Sequence, residues 1–256
     1  GRDHHLDAAA LNFSTTADAL ADCDVVLVTV KSAATAAAAA VLAAHLRPGT
    51  LVISFQNGVR NAEVLRAAMP AQTVLAGMVP FNVLNCGDGR FHQGSAGVLD
   101  VAADAGLAGC TALFASAGLP LSLQADMRAV LWGKLLLNLN NAINALSGVP
   151  LKAELSQRAY RRCLSLAQRE ALGLYALAGI TPMQLTALPP RWLARLLTVS
   201  DWLFQRLAQR MLAMDPLARS SMWEDLEAGR RTEVDWIQGE VVQLAAELGA
   251  TAPVNA

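Results

Sequence analysis

The sequence predicts an α/β protein in two parts. A parallel sheet with covering helices is expected over residues 1–125 and an all-helical region over residues 126–256. Three observations carry this. Apolar, β-branched runs alternate with helical segments as far as Ala76; short glycine-punctuated segments follow from Met78 to Val101; and strand signals stop after Ala125.

The first run, Cys23-Asp-Val-Val-Leu-Val-Thr-Val-Lys31, is apolar and bounded by charges, as expected of a strand covered on both faces. Ser32 is expected to cap the alanine-rich helix that follows, which ends near Pro48-Gly49. Thr50 to Phe55 is a second buried strand, and Gln56-Asn57-Gly58 is a turn. A helix then runs to about Met69, and Thr73 to Ala76 starts a third strand. Strands separated by helices imply βαβ units and a parallel sheet. Cys86-Gly-Asp-Gly89 and Gly94-Ser-Ala-Gly97 are read as tight turns between antiparallel strands. A helix from about Ala105 to Ala117 and a short strand near Leu121 close this half. In the second half, helices are expected over roughly 127–147, 152–179, 190–212 and 221–248.

Composition narrows the function. The formal net charge is −1 with no block of like charges, which argues against a nucleic-acid footprint or a basic membrane patch. The most apolar stretch, Ala33 to Leu46, is mostly alanine and too short to span a bilayer. No charged-then-apolar signal segment opens the chain. The four cysteines lie far apart with no metal-ligand spacing, and are read as reduced thiols of a cytoplasmic protein that binds no metal. Neither end reads as a native terminus, since Gly1 stands where Met is expected and Ala256 follows closely on a helix.

Two polar clusters carry the chemistry. Ala129 to Leu146 is apolar enough to be buried, yet it contains Lys134, Asn138 and Asn141. Spacings of four and three put these side chains within about 60° of one another on one helix face, while Asn140 and Asn144 point elsewhere. A lysine among leucines must find a partner or reach water, and desolvation lowers its pKa, which suits it to proton donation. Spacing alone leaves open the alternative, a lysine that snorkels to the surface beside asparagines that cap backbone.

The second cluster runs from Ser220 to Gly239. Ser221 and Glu224 fit a capping box, so a helix is expected to start there, with Ser221, Asp225 and Glu233 turning slowly around it at multiples of four. Val234, Trp236 and Ile237 place Glu233 near the buried side. Taken alone, the segment reads as a solvated face laced with Arg–Glu pairs.

Together these segments resemble the ketopantoate reductase family (2-dehydropantoate 2-reductase). The matching stretches are Leu-Val-Thr-Val-Lys31, Gln56-Asn57-Gly58, Leu131-Trp-Gly-Lys134-Leu-Leu-Leu-Asn138, and Ser220-Ser-Met with Arg231-Thr-Glu233-Val-Asp-Trp-Ile-Gln-Gly239, in the family's order. The resemblance implies a partial Rossmann-like dinucleotide-binding domain followed by a helical substrate and catalytic domain. It implies NADPH-dependent reduction of a small 2-oxo acid, ketopantoate, to pantoate on the way to pantothenate. By the same resemblance Lys134 is the proton donor and Glu233 holds the substrate's hydroxyl end. Asn138 and Ser221 bind substrate, Asp225 is a further candidate for that pocket, and Asn57 meets both nicotinamide and substrate. Lys31 lies near the nicotinamide.

Two departures accompany the resemblance. The family's Gly-x-Gly-x-x-Gly turn is absent, and with it the basic residue expected to read the 2′-phosphate; both are expected before Gly1. A chain without that turn is expected to hold NADPH weakly or not at all. Eight residues past Lys134, where some members carry a second asparagine, stands Ala142, and the adjacent Asn141 is expected to take that role. Two alternatives remain: a related reductase of another branched 2-oxo acid, and a non-catalytic fragment. Exposed leucines on the helical half would suit a homodimer.

Overall fold

The computed structural model describes residues 5–212 and 215–256. Seven strands and twelve α-helices are found among them. Strands β1 (Val25–Val28), β2 (Leu51–Ser54) and β3 (Thr73–Met78) are joined through helices α1 (Thr35–His45) and α2 (Asn61–Ala68), and pair in parallel. Strand β6 (Leu99–Ala102) joins β3 antiparallel, and β7 (Leu121–Gln124) lies parallel to β6 across α3 (Thr111–Ser116). The sheet order is β1-β2-β3-β6-β7, while β4 (Val83–Asn85) and β5 (Phe91–Gln93) form a separate hairpin around the Cys86–Gly89 turn.

Burial follows from this layering. Every residue of β2 is buried, because Val52 packs with Leu42 and Leu65 on one face and Ile53 with Leu107 and Cys110 on the other. The expected double coverage fails at β1. It stands at the edge of the described sheet and leaves Leu27 44% exposed.

The second half is helical, as expected, but its helices are shorter than the sequence suggests. They are α4 (Met127–Asn138), α5 (Asn140–Ser147), α6 (Leu151–Ser156), α7 (Arg158–Leu177), α8 (Pro190–Leu196), α9 (Asp201–Leu207), α10 (Gln209–Leu212), α11 (Ser221–Glu227) and α12 (Val234–Glu247). The break between α4 and α5 is slight. Leu139 keeps φ −56 and ψ −21, so the polar stripe continues across it. The break between α11 and α12 is real. Gly229 takes φ 63, and the Arg230 amide donates to the Asp225 carbonyl at 2.8 Å, the closure expected of a left-handed C-cap. Residues 221–248 are therefore two helices, and Glu233 stands at the residue before the second, without a side-chain cap bond, instead of sharing one face with Ser221 and Asp225.

Two capping expectations are also corrected. Ser220, one residue before the expected cap, accepts from the Trp223 amide at 3.2 Å and starts α11. Ser32 opens a short 3-10 turn (Ser32–Ala34) before α1, and its hydroxyl bonds to distant groups described below. No described helix is long and apolar enough to cross a membrane.

Candidate active site

Helix α4 is held against the sheet by Met127 and Val130 and against the helical core by Trp132, Leu135 and Leu136, all buried, and this fixes which way Lys134 points. Gly133 allows the close approach. A Cβ there would stand 2.5 Å from the Met183 carbonyl oxygen, and the Met183 amide in turn donates to the Ala129 carbonyl at 2.8 Å. Lys134 is partly buried and has no hydrogen-bond or ion-pair partner among the described residues. Burial lowers its pKa below the ordinary lysine value, because desolvation penalises the ammonium with no carboxylate nearby to offset it.

Lys134 borders a cavity of about 420 Å³ between the two halves. Asn57, Asn138, Asn141 and Ser221 line the same cavity, so five of the predicted site residues meet at one place. Asn57 comes from the turn after β2, where Gly58 takes φ +89 and lies against the Trp236 carbonyl. Asn138 and Asn141 continue the stripe from Lys134, and Ser221 is the first residue of α11.

Glu233, Asp225 and Lys31 stand behind this wall. Asn138 Nδ2 donates to Asn57 Oδ1 at 3.4 Å, and Asn57 Nδ2 donates to Glu233 Oε2 at 3.0 Å. Glu233 Oε1 accepts from the Ser32 amide at 3.0 Å and lies 3.0 Å from the Ser32 hydroxyl. Lys31 Nζ sits 2.7 Å from Asp225 Oδ2 and 3.9 Å from Glu233 Oε2, and Asp225 Oδ1 accepts from Arg230 Nε at 3.0 Å. Glu233 and Asp225 are buried and saturated with partners, and neither lines the cavity. Glu233 reaches it through Asn57.

Several contributors were missed from the sequence, where Glu224 and Ser32 read only as capping residues. Arg219 and Glu224 border the cavity, with Arg219 held by Glu227 at 2.6 Å and stacked 4.4 Å over the Trp223 ring. Ser32 and Asn61 buttress Asn57 from behind: the Asn61 amide donates to the Asn57 carbonyl and to the Ser32 hydroxyl. The Arg230–Asp225 pair belongs to the Arg–acid lacing the sequence allowed for, but it is turned inward on the acid's side.

The carboxyl ends of parallel strands β1 and β2 meet at this cleft, where open α/β sheets take their ligands. The half-exposed Lys31 ammonium and the Asn57 amide at those ends are a donor set that fits the nicotinamide end of a dinucleotide. No Gly-x-Gly-x-x-Gly turn occurs in the chain to hold the pyrophosphate.

Residues 3–105 match the family model "Ketopantoate reductase PanE/ApbA", and residues 126–256 match "Ketopantoate reductase PanE/ApbA C terminal". The chain belongs to the ketopantoate reductase family. A 2-dehydropantoate 2-reductase of Halobacterium salinarum is 30% identical over 247 residues, covering 94% of this chain and 75% of the relative. One from Caulobacter vibrioides is 27% identical, covering 97% of this chain and 80% of the relative. The crystal structure of a PanE/ApbA family ketopantoate reductase from Ralstonia eutropha JMP134 superposes with a TM-score of 0.79 at 29% identity, over 94% of this chain and 75% of that one. The family is one of oxidoreductases named for the reduction of a keto acid.

Proposed function

We propose that this chain carries the keto-acid site of an NADPH-dependent reductase that converts 2-dehydropantoate (ketopantoate) to pantoate, a step toward pantothenate. In this reading residues 1–125 form the nucleotide side of the cleft and residues 126–256 the substrate and catalytic side. The observation that carries it is the partly buried, unpartnered Lys134 ammonium, facing a cavity whose other polar lining is the Asn57, Asn138 and Asn141 amides, the Ser220 and Ser221 hydroxyls and the Arg219 and Glu224 side chains.

Reduction of a 2-oxo acid places negative charge on the keto oxygen as the new C–H bond forms. Lys134 Nζ donates a hydrogen bond to that oxygen, offsets the charge, and passes its proton to give the 2-hydroxyl. A reduced nicotinamide, when bound, supplies the hydride. Asn138 and Asn57 hold the acid so that its keto carbon faces the coenzyme side, and Asn141 and Ser221 offer hydrogen bonds to its carboxylate and hydroxyl ends. Glu233 sets the Asn57 amide, so it acts as a positioning residue through Asn57. Lys31, tethered to Asp225, lines the approach to the nicotinamide.

Turnover by the chain at millimolar NADPH, chosen to offset weak coenzyme binding, tests this, comparing kcat/KM for ketopantoate with that for other branched 2-oxo acids. The expected result is a clear preference for ketopantoate. A flat profile would assign another substrate. Tryptophan fluorescence unmoved even at millimolar NADPH would remove the coenzyme from the reading of this chain.

A further inference from the structure

Helix α6 buries a carboxyl that the chemistry above leaves unused. Glu154 has no exposed surface. Its Oε2 accepts from Asn144 Nδ2 at 2.5 Å, and the Asn140 side chain also interacts with the carboxyl. Burial lifts this carboxyl to about 7.

Asn144 is equally buried, and its other contacts lead to the cavity wall. Its Nδ2 also donates to the Val149 carbonyl at 3.0 Å, and its Oδ1 accepts from the Ser220 amide at 2.9 Å. Two acceptors on one side decide which way the amide faces and leave its oxygen for Ser220. The Ser220 hydroxyl donates to the Asn141 carbonyl at 3.2 Å and caps α11 by accepting from the Trp223 amide. The Leu151 amide, at the start of α6, donates to the Ala218 carbonyl at 2.9 Å. The bonds that start at Glu154 thus reach Ser220 and the Asn141 carbonyl, and Asn141, Ser220 and the chain neighbours of Ser220, Arg219 and Ser221, all line the cavity.

We propose that Glu154 is a positioning residue for the keto acid: by orienting Asn144 it holds Ser220, and with it the Asn141 and Arg219–Ser221 walls, at the separation the substrate needs. This rests on reading the cavity as the keto-acid site.

The test compares Glu154→Ala and Glu154→Gln with the unaltered chain, reading KM and kcat for ketopantoate together with hydrogen exchange at the Ser220 and Trp223 amides. Glu154→Ala is expected to raise KM on the order of tenfold while kcat changes by less than about threefold. Exchange at both amides should quicken by about tenfold or more. Glu154→Gln keeps the acceptor for Asn144 and should restore KM and both exchange rates. If Glu154→Ala does not fold, Glu154→Asp serves, since it draws the acceptor back by one methylene, and the same KM and exchange changes are expected. Unchanged KM with unchanged exchange would overturn the assignment, as would a loss confined to kcat. If the unaltered chain reduces no 2-oxo acid, the catalytic reading falls. The exchange rates alone then decide for Glu154, and unaltered rates in Glu154→Ala or Glu154→Asp reject it.

Discussion

Asn57 donates its side-chain amide to the Glu233 carboxylate at 3.0 Å, joining the turn after β2 to the start of α12 across 176 residues of chain. This contact ties the sheet to the helical half at the point where the cavity opens. A carboxylate buried this deeply needs several donors, and Glu233 finds them in Ser32, Asn57 and, more distantly, Lys31.

Lys134→Met should abolish most turnover and stabilise the fold. Loss of the proton donor is expected to lower kcat by roughly 10²- to 10⁴-fold. Removing a partly buried ammonium with no partner should raise unfolding free energy by up to about 1 kcal/mol, read from urea denaturation. In the unaltered chain kcat should fall as pH rises, at a midpoint below the ordinary lysine value of 10.5, because the acid form is the active one and burial lowers its pKa. Turnover that persists in Lys134→Met would reject the proton-donor role.

Glu233→Ala strands the Ser32 amide, the Asn57 amide and part of the Lys31 charge at once. A cost of about 3–5 kcal/mol is expected, with KM for the keto acid rising more than kcat falls. Glu233→Gln keeps one acceptor and should lie between. An unchanged KM in either variant would separate Glu233 from substrate positioning.

Stability should decline between about pH 4.5 and pH 7 through Glu154. Its carboxyl is raised from 4.5 to about 7 by burial, so the folded state holds a proton that the unfolded chain has released across that window. The favourable proton binding is complete below 4.5 and lost as pH climbs through the folded value, a change on the order of 3 kcal/mol. Glu154→Gln cannot ionise and should flatten the curve, visible in denaturation midpoints from pH 4 to pH 8. A curve of equal slope in Glu154→Gln would assign the pH dependence to other groups.

Gly133→Ala should destabilise the chain by about 1–3 kcal/mol, because the added methyl meets Met183 backbone and not a flexible side-chain end. Since α4 must shift to admit it, the neighbouring Lys134 moves too, and kcat should fall with stability. A variant with normal stability and reduced kcat would mean that the Met183 segment yields while Lys134 is displaced.

The parallel strands and the Lys134 stripe were legible because both are local patterns. A β-branched run bounded by charges reads as a strand wherever it packs, and spacings of four and three put Lys134, Asn138 and Asn141 on one face whatever lies opposite. Gly229 was a legible stop signal that the apolar residues on both sides of it masked, which is why α11 and α12 read as one helix. Ser32 follows the same logic: a serine before an alanine-rich helix is an ordinary cap until a buried carboxylate competes for its hydroxyl and amide.

From its sequence alone, this protein was committed to a parallel sheet followed by helices, and to an apolar helix bearing one lysine with two asparagines on the same side. Only the tertiary structure decided that Glu233 reaches the cavity through Asn57, that Arg219 and Glu224 border it, and that Glu154 and Asn144 support its wall. The first set depends on backbone periodicity, which each segment carries within itself. The second depends on which donors and acceptors meet once distant segments pack and water is excluded, and no spacing within a segment encodes that.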